Sequence, residues 1–292
     1  MKKLLTLLLI GGITMGAQAQ DKKFQIGLVT GGAFSWIKTN TSEIERNGIG
    51  AGFIIGVGGN YMFNENIGLA SGVQFDIESF KMNFGEGITS STPSGTVFYG
   101  YSDTDILKYD HDDDGSVNEV ENLSDTTNVL ELTTRKYRGK YVTIPFFLKF
   151  QTNMIGKFKY YGKFGLRTSI LAGVRYDDTG YDAIYSPTQD QFIRTGSTPH
   201  TLNENMKPVT ILKGLTPVRM GIGVYGGAEW NFTGSTFLYM EGGFNYGITP
   251  ALQIESGHLV NQMNDGTAIT RAPLDIKNNP QHLIEIKLGL LF

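Results

Sequence analysis

The chain has 292 residues, a formal net charge of −3, 38 glycines, 12% aromatic residues and no cysteine. That charge offers no surface for a polyanion such as nucleic acid, and the missing cysteines exclude a disulfide framework. Past the N-terminus no apolar run approaches the ~20 residues of a spanning helix, so a membrane location would demand a closed barrel, which satisfies every backbone group in lipid.

Taken in chain order, the first element is not part of the fold. Lys2 and Lys3 precede an apolar run at 4–10, and Ala17-Gln18-Ala19 is a small-x-small cleavage site. Residues 1–19 read as a secretory signal peptide, with the mature chain starting at Gln20.

Eight segments of period-two alternation follow, at 24–36, 50–63, 66–82, 136–150, 157–176, 216–230, 236–248 and 282–292. Alternation of this kind marks strands with one apolar face. In the fifth, Phe158, Tyr160, Phe164, Leu166, Ile170, Ala172, Val174 and Tyr176 share one face, and Lys159, Lys163, Gly165, Arg167, Ser169, Gly173 and Arg175 the other. In the last, Ile284, Ile286, Leu288, Leu290 and Phe292 oppose Glu285, Lys287 and Gly289. The connections alternate in length: 64–65, 151–156 and 231–235 are short, whereas 37–49, 83–135, 177–215 and 249–281 are long. Three short turns and four long loops are what an eight-stranded up-and-down barrel of the outer membrane requires, with the turns in the periplasm and the loops outside. The expected fold is therefore all-β: an eight-stranded antiparallel up-and-down transmembrane β-barrel over 20–292 with long extracellular loops. A soluble sandwich gives no reason for the regular spacing.

The faces opposite lipid would line the lumen. They carry Gly52, Gly56, Gly58 and Asn60; Gly72, Gln74, Asp76 and Glu78; Arg219, Gly221, Gly223 and Glu229; and Glu241, Gly243 and Asn245. Eight strands leave an interior just wide enough for side chains. Lys163, Arg167, Arg219 and Lys287 facing Asp76, Glu78, Glu229, Glu241 and Glu285 thus predict an internal ion-pair network rather than a channel. Tyr61, Phe63, Phe150 and Trp230, beside the short turns, read as the periplasmic aromatic girdle.

The strand Tyr141-Val142-Thr143-Ile144-Pro145-Phe146-Phe147-Leu148-Lys149-Phe150 resembles the "Y-x-x-I-P-L-L-x-K" strand of the outer-membrane β-barrel family that includes PorT-like and "porin family" proteins. Residues 160–173, 220–230 and 239–248, the last ending Phe244-Asn245-Tyr246-Gly247-Ile248, are similar to that family's following strands and its "Y-x-Y-G-L" hairpin. The resemblance covers essentially the whole mature chain and implies the cell outer membrane, with outer-membrane lipid as solvent. It does not imply a pore. The terminal aromatic strand ending in Phe292 resembles the signal read by barrel-insertion machinery, with Lys287 standing where glycine is usual.

One motif points to chemistry. Asp110-His111-Asp112-Asp113-Asp114-Gly115-Ser116-Val117-Asn118-Glu119-Val120-Glu121 matches the EF-hand loop pattern at every specified place. Such a loop wraps oxygen ligands around calcium. Asp110, Asp112 and Asp114 supply carboxylates, Ser116 a carbonyl, Asn118 a direct or water-mediated ligand and Glu121 two oxygens, with Gly115 allowing the sharp turn. The flanks do not read as helices and no second loop pairs with it. This is an isolated EF-hand-like loop whose Ca2+ would order the longest external loop. Of the histidines, His111 falls inside this loop, and His200, His258 and His282 accompany no nucleophile motif. The functional expectation is a non-enzymatic barrel whose calcium-ordered loops engage a protein partner, as a subunit of a larger outer-membrane complex. A small passive channel and a rim hydrolase acting on lipid or peptide are the alternatives.

Overall fold

The computed structural model describes residues 23–39, 42–89, 95–102, 105–106, 128–186, 188–189, 191–208, 215–252, 255–275 and 279–292. The signal-peptide segment and the loop 110–121 lie outside the described residues.

Eight long strands follow the chain: β1 (Phe24–Ile37), β2 (Gly50–Met62), β3 (Ile67–Phe84), β4 (Asn128–Gln151), β5 (Phe158–Ser186), β6 (Val218–Thr233), β7 (Thr236–Gly247) and β8 (Gln281–Leu291). Each pairs antiparallel with its neighbours in the chain. The ring closes where β1 meets β8, in a register running from Gly27↔Leu291 to Ile37↔Gln281. Closure removes the unpaired edges that an open sheet would expose to lipid. The short turns are locally encoded. Asn64 Oδ1 accepts from the Asn66 and Ile67 amides at 2.9 and 2.7 Å, and Gly234 supplies the positive φ of +53° between β6 and β7.

All eight predicted segments are strands, but two run well past their predicted ends. β4 starts at Asn128 rather than 136, and β5 continues to Ser186 rather than 176. Their inward positions beyond the lipid-facing band include buried apolar side chains: Leu130, Leu132 and Tyr137 on β4, Val174 and Tyr176 on β5. These side chains have a core to enter, so pairing continues. The stretches expected as loops accordingly contain further sheet. Ile44–Arg46 pairs with β3, Thr96–Ser102 with β4, and Gln191–Arg194 and His200–Pro208 with β5. Glu255–Asn264 joins Thr96–Ser102 to Ile269–Asp275.

The outer face of the ring is an apolar belt. Leu28, Phe53, Ile55, Val73, Phe75, Ile144, Phe146, Phe164, Leu166, Val224, Phe244, Ile286 and Leu288 are all exposed. Tyr61, Phe63, Phe150 and Trp230 are exposed at its lower rim, as the girdle requires. One face assignment is corrected. Val174 and Tyr176, expected to face lipid with Phe158, are 6% and 2% exposed and point inward. The register skips Ala172, stepping from Tyr141↔Leu171 to Lys140↔Gly173. One extra residue inverts every face beyond it. Gly173 and Arg175 therefore turn outward instead of into the lumen.

Inside, two layers are stacked. The lower lumen is polar. Above it lies an apolar core of Phe80, Phe84, Tyr99, Leu130, Leu132, Tyr176, Leu252, Val260 and Leu274, with others. Wall glycines admit the largest lumenal rings: a Cβ on Gly243 would lie 2.0 Å from Tyr225 Cδ1, whereas one on the adjacent, outward Gly242 meets nothing within 4 Å. Gly243→Val should therefore destabilise the barrel by about 1–3 kcal/mol in urea unfolding, while Gly242→Val should stay within ~0.5 kcal/mol of wild type. Equal losses in both would refute this packing.

Candidate functional site

The alternation of β3, β5, β6 and β8 sends charged side chains into the lumen. Arg167 on β5 is the centre. Its Nη2 donates to Asp76 Oδ2 at 2.6 Å and to Glu78 Oε1 at 2.7 Å, and its Nε lies 3.1 Å from Glu285 Oε1. Its Nη1 donates to Ser169 Oγ at 2.8 Å, which in turn bonds the Thr143 hydroxyl at 2.8 Å. Arg219 Nη2 donates to Glu78 Oε2 at 2.5 Å, and Arg219 also bonds Gln281. Its guanidinium sits 3.9 Å from the centroid of the Tyr141 ring. Glu285 further accepts from Lys287 at 2.6 Å and from the Tyr225 hydroxyl at 2.8 Å. Lys163 pairs with Glu241 at 2.6 Å, and Lys149 pairs with Glu229.

Five cations thus face five carboxylates, and none of the ten side chains is more than 14% exposed. A buried ion is tolerable only with a partner and saturated hydrogen bonds. The pairing meets the first condition for all ten charges, and the side chains fill much of the lower lumen. Among the network residues lie voids of about 40 Å³, beside Asn60, Gln74, Phe147 and Glu229, and about 20 Å³, beside Arg167 and Arg219, with a cavity of about 400 Å³ below them beside Gln25, Met62 and Lys159. The two smaller voids hold a water or two.

A second ionic group crosses the apolar core above. Arg135 donates to both Asp178 oxygens at 2.7 and 2.8 Å, and Tyr99 donates to the same carboxylate. The Arg135 guanidinium packs 4.5 Å from the Tyr176 ring centroid. Arg194 binds Glu131, and reaches Glu86 at 3.0 Å.

The lumenal residues expected from the sequence come together: Asp76, Glu78, Lys163, Arg167, Arg219, Glu229, Glu241, Glu285 and Lys287 all join the network. Lys149 was missed, although it shares inward parity with Tyr141 and Pro145, four residues apart along the same strand. Parity alone would have found it. Pro145 has no N–H to give, and the β3–β4 pairing is interrupted between Ser71↔Phe146 and Gln74↔Thr143. Ser71 Oγ bonds the Pro145 carbonyl at 2.8 Å. Arg135 and Asp178 were missed because both fall in stretches read as loops.

The calcium ligands expected at Asp110, Asp112, Asp114, Ser116, Asn118 and Glu121 lie outside the described residues, as does His111. Among the described residues, no group of three or more His, Asp or Glu side chains could hold a metal. His282 lies among aromatic rings, with Tyr246 at 4.6 Å and Trp36 at 6.0 Å between centroids, and its Nδ1 accepts from the Gly247 amide at 3.3 Å. His200 Nε2 stands 3.8 Å from Asp182 Oδ2 with both side chains about half exposed, and Nδ1 approaches the Thr198 carbonyl at 3.4 Å. Among the described residues, neither imidazole has a hydroxyl partner.

Arg167→Met removes the cation shared by Asp76, Glu78 and Glu285. Leaving buried carboxylates unpaired should cost about 3–5 kcal/mol, read as a fall in the urea midpoint of the folded band on unheated gels. A variant as stable as wild type would show that the network does not hold the barrel.

A family model described as "Outer membrane protein beta-barrel domain" matches residues 17–253. No curated protein sequence matches the chain. Among solved structures, the chain is similar to Neisserial surface protein A (11% identity, 92% of this chain and 96% of that one, TM-score 0.35). It is also similar to the N-terminal β-barrel domain of Pseudomonas aeruginosa OprF (9%, 94% and 100%, TM-score 0.32). A third is the outer membrane protease OmpT from Escherichia coli (8%, 93% and 96%, TM-score 0.33). With its closed, lipid-belted ring and a family match over most of its length, this chain belongs to the outer membrane protein β-barrel domain family and resides in the outer membrane.

Proposed function

We propose that the protein is a sealed, non-enzymatic barrel whose extracellular head is a protein-interaction surface, working as a subunit of a larger outer-membrane assembly. The observation that carries this reading is the extension of the wall beyond the lipid belt. β4 and β5 keep their pairing up to Val129↔Ala183, well above Ile144 and Ile170 in the belt, and enclose an apolar core of their own. A barrel that merely spanned the bilayer would end at the belt. A head with its own core presents a fixed surface, and rigid scaffolds that display loops are where binding function concentrates. The lumen beneath supports the same conclusion, because a passive channel would require the ten paired charges to leave it.

Calcium enters this proposal through the motif at 110–121. The segment lies between Thr96–Ser102 and β4, so an ion held by Asp110, Asp112, Asp114, Ser116, Asn118 and Glu121 would order the loop carried by the head. The finer kinship with PorT-like members rests on the strand motif at 141–150.

Limited proteolysis of the folded barrel tests the calcium element. Calcium should slow cleavage within 103–127 in the wild type, and Asp110→Ala or Glu121→Ala should abolish the protection. Equal cleavage of the wild type with calcium and with chelator would remove calcium from the account. Gentle extraction from the native membrane tests the interaction surface. A stoichiometric partner is expected, and a clean monomer under both conditions would contradict it.

A further inference from the structure

The cavity of about 400 Å³ at the periplasmic end of the lumen lies below the ion pairs. Two neighbouring turns, after β2 and after β4, form one of its walls. Asn66 stitches them together: its Nδ2 donates to the Gln151 carbonyl at 2.9 Å and to Asn153 Oδ1 at 3.0 Å. Gln151 Nε2 in turn donates to the Glu65 carbonyl at 2.8 Å. The wall is therefore set before any ligand arrives, as small-molecule sites usually are. Parity supplies the opposite side. Lys159 faces Glu229 across β5 and β6, and Gln25 faces Asn60 across β1 and β2; both partners are buried inside.

The charge here is unbalanced. Higher in the lumen each lysine has its own carboxylate: Lys149 has Glu229, Lys163 has Glu241 and Lys287 has Glu285. Half-buried Lys159 has none: Glu229, opposite it, is held by Lys149. Among the described residues its amine makes no hydrogen bond or ion pair, and it lies 5.4 Å from the centroid of the Phe237 ring. Lys149 feels the charges of both Lys163 and Lys159, so three ammonium groups share two carboxylates, Glu229 and Glu241. Lys23 adds a further positive charge at the rim, and Glu65, exposed in its turn, is the one carboxylate that lines the cavity. An ammonium partly withdrawn from water beside like charges is stabilised by an anion. The neutral donors agree. Gln25 Oε1 accepts from Asn60 Nδ2 at 3.2 Å and Asn153 Oδ1 from Asn66, which turns the NH2 group of each amide to other acceptors. Met62, Phe63 and Met154 give the same cavity an apolar side.

We infer that this periplasmic vestibule binds a small amphiphilic anion: one carboxylate or phosphate group on a short apolar chain. The head group pairs with Lys159, with Lys23 and the Gln25 and Asn153 amides as further donors, and the chain lies against Met62, Phe63 and Met154. Pockets for small molecules begin at about 300 Å³, so the volume suits one such ligand. Bonds from an ammonium to a carboxylate or phosphate are roughly twice as strong as neutral ones. The bound anion balances the third ammonium and leaves the ion pairs above it intact, so the lumen need not open.

The test uses the full barrel in phosphatidylcholine nanodiscs, titrated calorimetrically with hexanoate, hexyl phosphate, hexanol and inorganic phosphate, the heat of empty discs being subtracted. Wild type is compared with Lys159→Gln, Lys159→Arg and Lys38→Gln, the last at the opposite end of the barrel. Hexanoate or hexyl phosphate should bind the wild type one to one, and the tighter of the two identifies the head group. Lys159→Gln should weaken that binding at least about tenfold, the loss of one charged contact. Lys159→Arg should retain it, and Lys38→Gln should match wild type. Hexanol and inorganic phosphate, each carrying half of the ligand, should bind at least about tenfold more weakly than the better anion. In the ligand-free disc Lys159→Gln should melt no lower than wild type, since it has lost repulsion and no partner. The proposal is overturned if neither hexanoate nor hexyl phosphate gives heat above the empty discs, or if Lys159→Gln binds like wild type. It also falls if hexanol binds equally, which would make this an apolar cavity, or if inorganic phosphate does, which would make it a simple anion site. A Lys159→Gln barrel that melts lower would mean that the chain's own carboxylates already neutralise this lysine, and would overturn it as well.

Discussion

The guanidinium of Arg167 is the constraint from which the rest of the structure follows. A charge buried in the lumen must find carboxylates, and those that Arg167 reaches lie on other strands: Asp76 and Glu78 on β3, Glu285 on β8. They meet only if β8 returns to β1 and the ring closes. Closure is in turn what permits strands to cross lipid. The ion pairs, the eight-strand count and the membrane location are therefore one arrangement, and the apolar exterior and charged interior are its two faces.

That arrangement moves function away from the axis. The lumen holds ion pairs below and an aromatic and aliphatic core above, and the proposed function accordingly lies on the head. The head is built from the same strands as the barrel. β4 and β5 carry the wall upward, and Thr96–Ser102, Glu255–Asn264 and His200–Pro208 extend the sheet around the upper core. The upper interior repeats the logic of the lower one in miniature, with the Arg135–Asp178 pair held among tyrosines.

Much of this was legible in the sequence because lipid imposes strict alternation. Each of the eight strands shows it, and all ten network charges follow from parity within them, Lys149 included. What alternation could not reveal was a change of phase. The bulge at Ala172 leaves no compositional mark, so Val174 and Tyr176 looked lipid-facing when they are core. Nor could it reveal strands whose two faces are both wet or both covered. Leu130 and Leu132 lie in a stretch without clean periodicity, and their burial depends on Thr96–Ser102 and other segments remote in sequence. The EF-hand-like motif is the reverse case: a local pattern carried entirely by the identities of residues 110–121.

The central claim is that paired charges seal the lumen, and ion conductance through the folded barrel in planar lipid bilayers tests it most directly. The account predicts insertion without conductance steps in the wild type. Reproducible steps of a stable size from the wild-type barrel would contradict it and return the molecule to the channels.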